Sequence, residues 1–272
     1  SGRYAIPWLF TKLVRRFHWI KIIHDGSLPA RFHNFTKIQK WIFHLSIMMA
    51  DHLVTTNEVL ATWLRQQIGR NAKISVLSSL LPLETKPERT QNECDERISP
   101  FLHAHTKYLC ATGVFTAMYG FDQLTDVVEE MRLQGDWDLG LLLLDGGFAE
   151  DQEYKQTVLA NRPWILTLSR LPHPCVLELL QNIDVFIRPT AYESYGLSRI
   201  EAIWYGIPVV ATNVGETRGM LLYEFGDREM LRQQIERALF DPPLASIQKW
   251  SQRYREEAEQ NLRRIEQLLE II

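Results

Sequence analysis

A chain of 272 residues is long enough for one large domain or two modest ones. With 46% hydrophobic and 23% charged residues, and unexceptional glycine and proline, it is excluded from the disordered and fibrous classes. A formal net charge of -3 argues against nucleic acid as a partner, because such proteins need a basic surface to displace counterions.

In chain order, residues 4–23 mix Trp8, Leu9, Phe10, Leu13, Val14 and Phe17 with Lys12, Arg15, Arg16 and Lys21. The pattern predicts a short helix running into a buried strand, Trp19 to Ile23, closed by the turn residues His24-Asp25-Gly26. The aromatic and basic residues at the start suit an anionic membrane surface, or equally a domain-packing helix with snorkelling cations. A helix over 35–50 places Ile38, Trp41, Ile42, Leu45 and Met49 at spacings of three and four. His52–Thr56 is strand-like, Asn57 opens a helix through Ile68 that Gly69 can cap, and Lys73–Leu77 is one more strand. This alternation predicts a parallel sheet with helical crossovers.

Residues 84–104 are charged and polar and read as an interdomain linker. Beyond them, a strand running into a loop is expected at Thr106–Thr116, further strands at Leu139–Leu144, Trp164–Leu168, Val185–Arg188 and Val209–Thr212, and helices at Asp122–Leu133, Asp151–Ala160, Val176–Leu180 and Leu197–Tyr205. Repeated steps of this length describe a doubly wound α/β domain. In the tail, Leu262, Ile265, Leu269 and Ile272 make a helical stripe, to be buried against the first domain or at a dimer contact.

Cys94, Cys110 and Cys175 form no paired framework and read as ordinary thiols of a reducing compartment. No apolar run is long enough to span a bilayer and no signal peptide is evident, so a cytoplasmic location is expected, with peripheral contact on the inner membrane face as an extension. The chain starts at Ser1-Gly2, as a tag remnant, a processed product or a fragment would. The histidines at 18, 24 and 33 are scattered, and His103 and His105 read as linker or surface residues, so no metal cluster is expected.

Glu193-Ser-Tyr-Gly-Leu-Ser-Arg-Ile-Glu201 is the stretch with the most chemistry. Glu193 follows the strand end Arg188 and the turn Pro189–Tyr192, on the side where open α/β sheets take ligands. Gly196 permits close backbone approach, and the amides of Leu197, Ser198 and Arg199 open a helix whose start suits a phosphate. Glu201 lies further along, and a carboxylate can accept from two vicinal hydroxyls. Tyr205–Thr212 and the loop Asn213–Glu216 follow as a Gly-ended helix, a strand and a second ligand-side loop.

From Asp184 through Gly215 the chain closely resembles the nucleotide-sugar site of retaining glycosyltransferases of family four. The residues that carry the resemblance are Arg188-Pro189-Thr190, Glu193, Glu201-Ala202 and Gly206-Ile207-Pro208-Val209-Val210-Ala211-Thr212. The resemblance implies the GT-B fold: α/β, with two Rossmann-like domains, the first shortened (1–104 with the linker), a nucleotide-sugar domain over 105–245, and a C-terminal amphipathic helix over 246–272. It implies that Glu201 holds the ribose and Glu193 faces hydroxyls of the transferred sugar. Gly196, Leu197 and Ser198 would cradle the diphosphate, Gly113 and Tyr119 would line the donor site, and the loop at Leu171–Pro174 would surround the base. His24 would stand near the donor sugar as a catalytic residue.

Family members carry an Arg and a Lys where this chain has Val114 and Tyr119, so the expected cation pair against the diphosphate is missing. Arg218, Lys107 or Arg170 can be considered as replacements. The implied activity is transfer of a sugar from a UDP-, GDP- or ADP-sugar to a carbohydrate or lipid-linked acceptor, without a cofactor, in polysaccharide or glycolipid synthesis. The missing pair favours a competing reading, a weakly active or silent subunit that binds a nucleotide sugar or stabilises a partner, including a second copy. A phosphorylase or a sugar-nucleotide epimerase is the third reading.

Overall fold

A computed structural model of the chain describes residues 18–68, 73–77, 94–135, 137–147 and 151–270, with side chains as far as residue 267. The aromatic and basic residues at 4–17, Gly69 and Ile272 lie outside that set, as do the side chain of Leu269 and much of the expected linker. The chain divides into two compact units, one of residues 1–80, 192–195 and 258–272, the other of residues 81–191 and 196–257. Each is a Rossmann-like assembly of parallel strands and helices.

The first unit has strands β1 (Ile20–Ile23), β2 (His52–Thr55) and β3 (Ile74–Val76) in that order, all parallel. Between them run helices α1 (Leu28–Phe32), α2 (Lys37–Met48) and α3 (Glu58–Ile68). Thr36 starts α2 with a capping box: its hydroxyl accepts from the Gln39 amide at 3.3 Å while Gln39 Oε1 accepts from the Thr36 amide at 2.9 Å. The core joins Ile23, Ile47, Leu53, Leu60 and Leu64, and the rings of Phe32, Phe35, Phe43 and Trp63 pack beside it. Ile22, Ile38, Trp41 and Met48 are exposed.

After the short helix α4 (Ile98–Phe101), the second unit carries six parallel strands in the order β6-β5-β4-β7-β8-β9. They are β4 (Lys107–Gly113), β5 (Leu139–Asp145), β6 (Ile165–Ser169), β7 (Val185–Arg188), β8 (Val209–Thr212) and β9 (Leu221–Tyr223). The connecting helices are α5 (Phe121–Gln134), α6 (Gln152–Leu159), α7 (His173–Leu180), α8 (Leu197–Trp204) and α9 (Arg228–Phe240), and α10 (Leu244–Glu270) follows. All seven residues of β5 are buried, as a strand covered on both faces requires. Leu109, Leu141 and Val185 pack with Phe121, Leu124, Val128, Leu231 and Ile235 into one core.

Two expectations need correction. Cys94 and Cys175 form a disulfide, so only Cys110 is a free thiol, and it is buried. The fold brings their Cα atoms to 5.6 Å across 81 residues of sequence, and such pairing follows tertiary position rather than spacing. His105 is turned inward: its Nδ1 lies 2.6 Å from Asp138 and its side chain is only 13% exposed. In α10 the deepest residues are Ile247, Tyr254, Ala258 and Asn261, whereas Leu262 and Ile265 are half-buried.

Candidate functional site

Strand order reverses between β4 and β7, and open α/β sheets take ligands beyond the carboxyl ends of the strands at such a switch point. At that end β7 stops at Arg188 and passes into a turn fixed on both sides. The Thr212 hydroxyl donates to the Thr190 carbonyl at 2.6 Å, and the Ala191 amide donates to the Met118 carbonyl at 2.8 Å. Gly120 lets the two turns approach, because a Cβ there would stand 2.2 Å from the Pro189 carbonyl oxygen.

Gly196 caps α8 in the left-handed region, at φ 83°, which favours glycine. A Cβ there would also come within 2.2 Å of Arg199 Nε. Arg199 is wholly buried and donates to the carbonyls of Thr212, at 3.4 Å, and Val214. An interior guanidinium thus locks the loop after β8 against the helix start. The Arg199 amide donates back to the Gly196 carbonyl at 3.2 Å. It therefore drops out of the expected phosphate cradle, and the helix start offers the amides of Leu197 and Ser198. Thr112, near the end of β4, donates to the Ser198 hydroxyl at 3.1 Å.

One turn further into α8, the Glu201 side chain is 13% exposed and its Oε1 lies 2.8 Å from His173 Nε2. Burial pushes the Glu201 carboxyl above its ordinary pKa, opposed in part by the histidine. His173 opens α7 two residues after half-buried Leu171, so the loop at Leu171–Pro174 adjoins Glu201. Gly113 ends β4, where a Cβ would stand 2.5 Å from the Tyr119 ring and 2.9 Å from the Phe121 ring. The Arg188 guanidinium lies over that same Tyr119 ring at 5.2 Å, and it donates to the carbonyl and the hydroxyl of Thr112.

Of the three replacement cations considered from sequence, Lys107 and Arg218 are paired with carboxylates, whereas Arg170 follows β6 at the carboxyl end of the sheet. Lys107 holds Asp184 at 2.7 Å at the opposite end of β4, about 20 Å from Gly113 at the usual rise per strand residue. Arg218 is clamped by Glu216 and Glu257 at 2.7–2.9 Å. Hydrogen bonding to those two carboxylates raises the Arg218 pKa further. Arg170 reaches the Gly147 carbonyl at 3.2 Å.

Glu193 and His24 group with the first unit. His24 is exposed just after β1. The same turn meets residues 193–194 closely, since a Cβ at Gly26 would stand 2.6 Å from the Glu193 carbonyl oxygen. Asn57 Nδ2 donates to the Ser194 carbonyl, and Glu193 Oε1 accepts from the Ser194 amide at 3.1 Å. So the fold gathers the His24 turn with Glu193, and separately gathers Gly113, Tyr119, Leu171, Gly196, Leu197, Ser198 and Glu201 around the end of one sheet. Sequence reading placed His173 only within the loop at Leu171–Pro174 and Arg188 only at a strand end, and it missed the partners of both and the interior role of Arg199. Their partners lie 13 to 76 residues away, and no local pattern marks such contacts. Among the described residues no group of three or more His, Cys, Asp or Glu stands ready to hold a metal ion.

The family model for glycosyl transferases group 1 matches residues 106–241, half of the chain. Among solved structures, that of Anabaena HepE in complex with UDP-glucose aligns with a TM-score of 0.80 at 15% identity, covering 100% of this chain and 77% of that one. Sucrose-phosphate synthase from Thermosynechococcus elongatus aligns at 0.75 and 18% identity, covering 97% and 70%. A glycosyltransferase from Rickettsia africae aligns at 0.68 and 15% identity, covering 93% and 69%. At these identities the likeness shows the fold, which is GT-B.

Proposed function

The chain belongs to the glycosyl transferases group 1 family, and from that premise we propose that it is a retaining glycosyltransferase of family four. It moves a sugar from a nucleoside-diphosphate sugar to an acceptor hydroxyl, on a carbohydrate or a lipid-linked carbohydrate. The observation that carries this reading is the grouping, at the switch point of one sheet, of a left-handed glycine, a helix start and a buried carboxylate one turn on. The Leu197 and Ser198 amides would receive the diphosphate, and Glu201 would accept from the ribose hydroxyls. Glu193 would face hydroxyls of the transferred sugar, with His24 close by on the same unit. The bond from the anomeric carbon to the phosphate oxygen breaks as a bond to the acceptor oxygen forms on the same face. The acceptor proton passes to the departing phosphate, and a nucleoside diphosphate leaves. Solved structures of HepE with UDP and with UDP-glucose support UDP-sugars as the first donors to try.

The uncharged Val114 and Tyr119 favour a second reading, a subunit that binds the donor and transfers slowly or not at all. A cation against the departing phosphate stabilises several kcal/mol of developing charge, and its loss would slow turnover by orders of magnitude. Incubation of the protein with UDP-, GDP- and ADP-sugars and an oligosaccharide acceptor separates the two. Release of nucleoside diphosphate with a retained anomeric configuration, followed by proton NMR and lost in Glu201→Ala, supports transfer. Tight donor binding without release supports the silent subunit, and an inverted product contradicts the retaining assignment.

A further inference from the structure

A departing diphosphate needs positive charge that is held in place before the reaction, and fixed charges at a dry site act more strongly than mobile ones in water. Resting on the donor reading above, we propose that Arg188 is the catalytic cation of this chain, contacting the diphosphate of the donor from the end of β7. Arg188 is the last residue of that strand, at the switch point, and it is half-buried. Contacts with Tyr119 and Thr112 help to fix its guanidinium. It lies 5.2 Å over the Tyr119 ring, a cation–π contact, and its Nη1 donates to the Thr112 carbonyl and to Thr112 Oγ1 at 3.1 Å. The Thr112 hydroxyl in turn donates to Ser198 Oγ at 3.1 Å, so one threonine links the guanidinium to the start of α8.

This chain of donors runs from Arg188 through Thr112 to Ser198. With its oxygen already accepting, the Ser198 hydroxyl has its own proton to give to a phosphate oxygen, beside the Leu197 and Ser198 amides. The planar guanidinium suits phosphate oxygens better than a point charge does. The neutral residue at 119 acquires a purpose: its ring is the platform on which the cation rests, and Gly113 leaves the room that the ring needs. Lys107 and Arg218 are neutralised by carboxylates, and exposed Arg170 lacks the ring and hydroxyl that fix Arg188 beside Ser198.

The test is calorimetric titration of the wild-type protein, Arg188→Met and Arg188→Lys with UDP, GDP and ADP and with the matching nucleosides uridine, guanosine and adenosine. For whichever base binds, Arg188→Met should weaken the diphosphate about 10- to 100-fold, the range of a lost charge-assisted hydrogen bond, and leave the nucleoside within about twofold. Arg188→Lys should fall between the two, and it carries the test if the methionine variant does not fold. Variants that bind the diphosphate as tightly as wild type overturn the role of Arg188 and leave the donor reading standing. Equal losses for diphosphate and nucleoside reveal a structural residue and also overturn it. A wild-type protein that binds none of the three diphosphates removes the donor reading itself, and this proposal with it.

Discussion

Glu201 keeps a carboxyl group largely out of water, and burial sets its pKa above the ordinary value even though His173 partly offsets this. An acid whose folded pKa is raised contributes stability below its unfolded pKa, and that contribution is lost as pH rises through the folded value. Glu201→Gln should therefore gain on wild type between about pH 4 and about pH 7.5, since glutamate ionises across the lower part of that range. Urea midpoints of the two proteins at both pH values check the sign; a wild type that gains on the variant instead would show that burial does not control this group. The same substitution should weaken donor binding, because an amide offers one acceptor oxygen and an NH2 donor where the carboxylate offers two acceptor oxygens to the ribose hydroxyls. Of the residues involved, Glu201 and Gly196 were legible in the sequence, since strand, turn, glycine and helix start follow one another locally. Arg199 and His173 were not. An arginine within Leu197–Ile200 reads as a solvated helix residue, and carbonyls 13 and 15 positions on help to make its burial tolerable.

At the level of elements, legibility followed the length of the apolar run. Val185–Arg188 and Val209–Thr212 were read with the bounds they have, and the buried strand Leu139–Asp145 to within one residue. Strand β9 and helix α9 were not anticipated: the first is three residues long at a sheet edge, and the second alternates charges through most of its length. One signal was present, because Asp227 caps α9 by accepting from the Met230 amide at 2.9 Å. The disulfide had no such signal. It ties Cys94, ahead of α4, to Cys175 in α7, two residues from the histidine that meets Glu201. Closing a loop across 81 residues restricts the unfolded chain, and reduction should cost about 2–4 kcal/mol of stability. Thermal melts with and without dithiothreitol measure this, with Cys94→Ser as the covalent control. A melting temperature unchanged by either would show that the link adds nothing to the fold.

Over the whole molecule, the alternation of strands and helices made the α/β class and its two Rossmann-like assemblies readable before any coordinates. What periodicity could not give was which loops each unit gathers. Residues 192–195 lie in sequence inside the second unit yet group with the first, because Gly26 and Asn57 receive them. Thus the two glutamates, eight positions apart in the sequence, are held by different units. The reading of the molecule as a sugar transferase depends above all on Glu201 and the start of α8 gripping a nucleoside diphosphate. Titration calorimetry with UDP-, GDP- and ADP-sugars, on wild type and Glu201→Ala, tests that most directly. One donor series should bind the wild-type protein, and the alanine variant should bind it about 10- to 100-fold more weakly. Equal affinities for the two proteins, or no binding of any nucleotide sugar by wild type, would contradict the account.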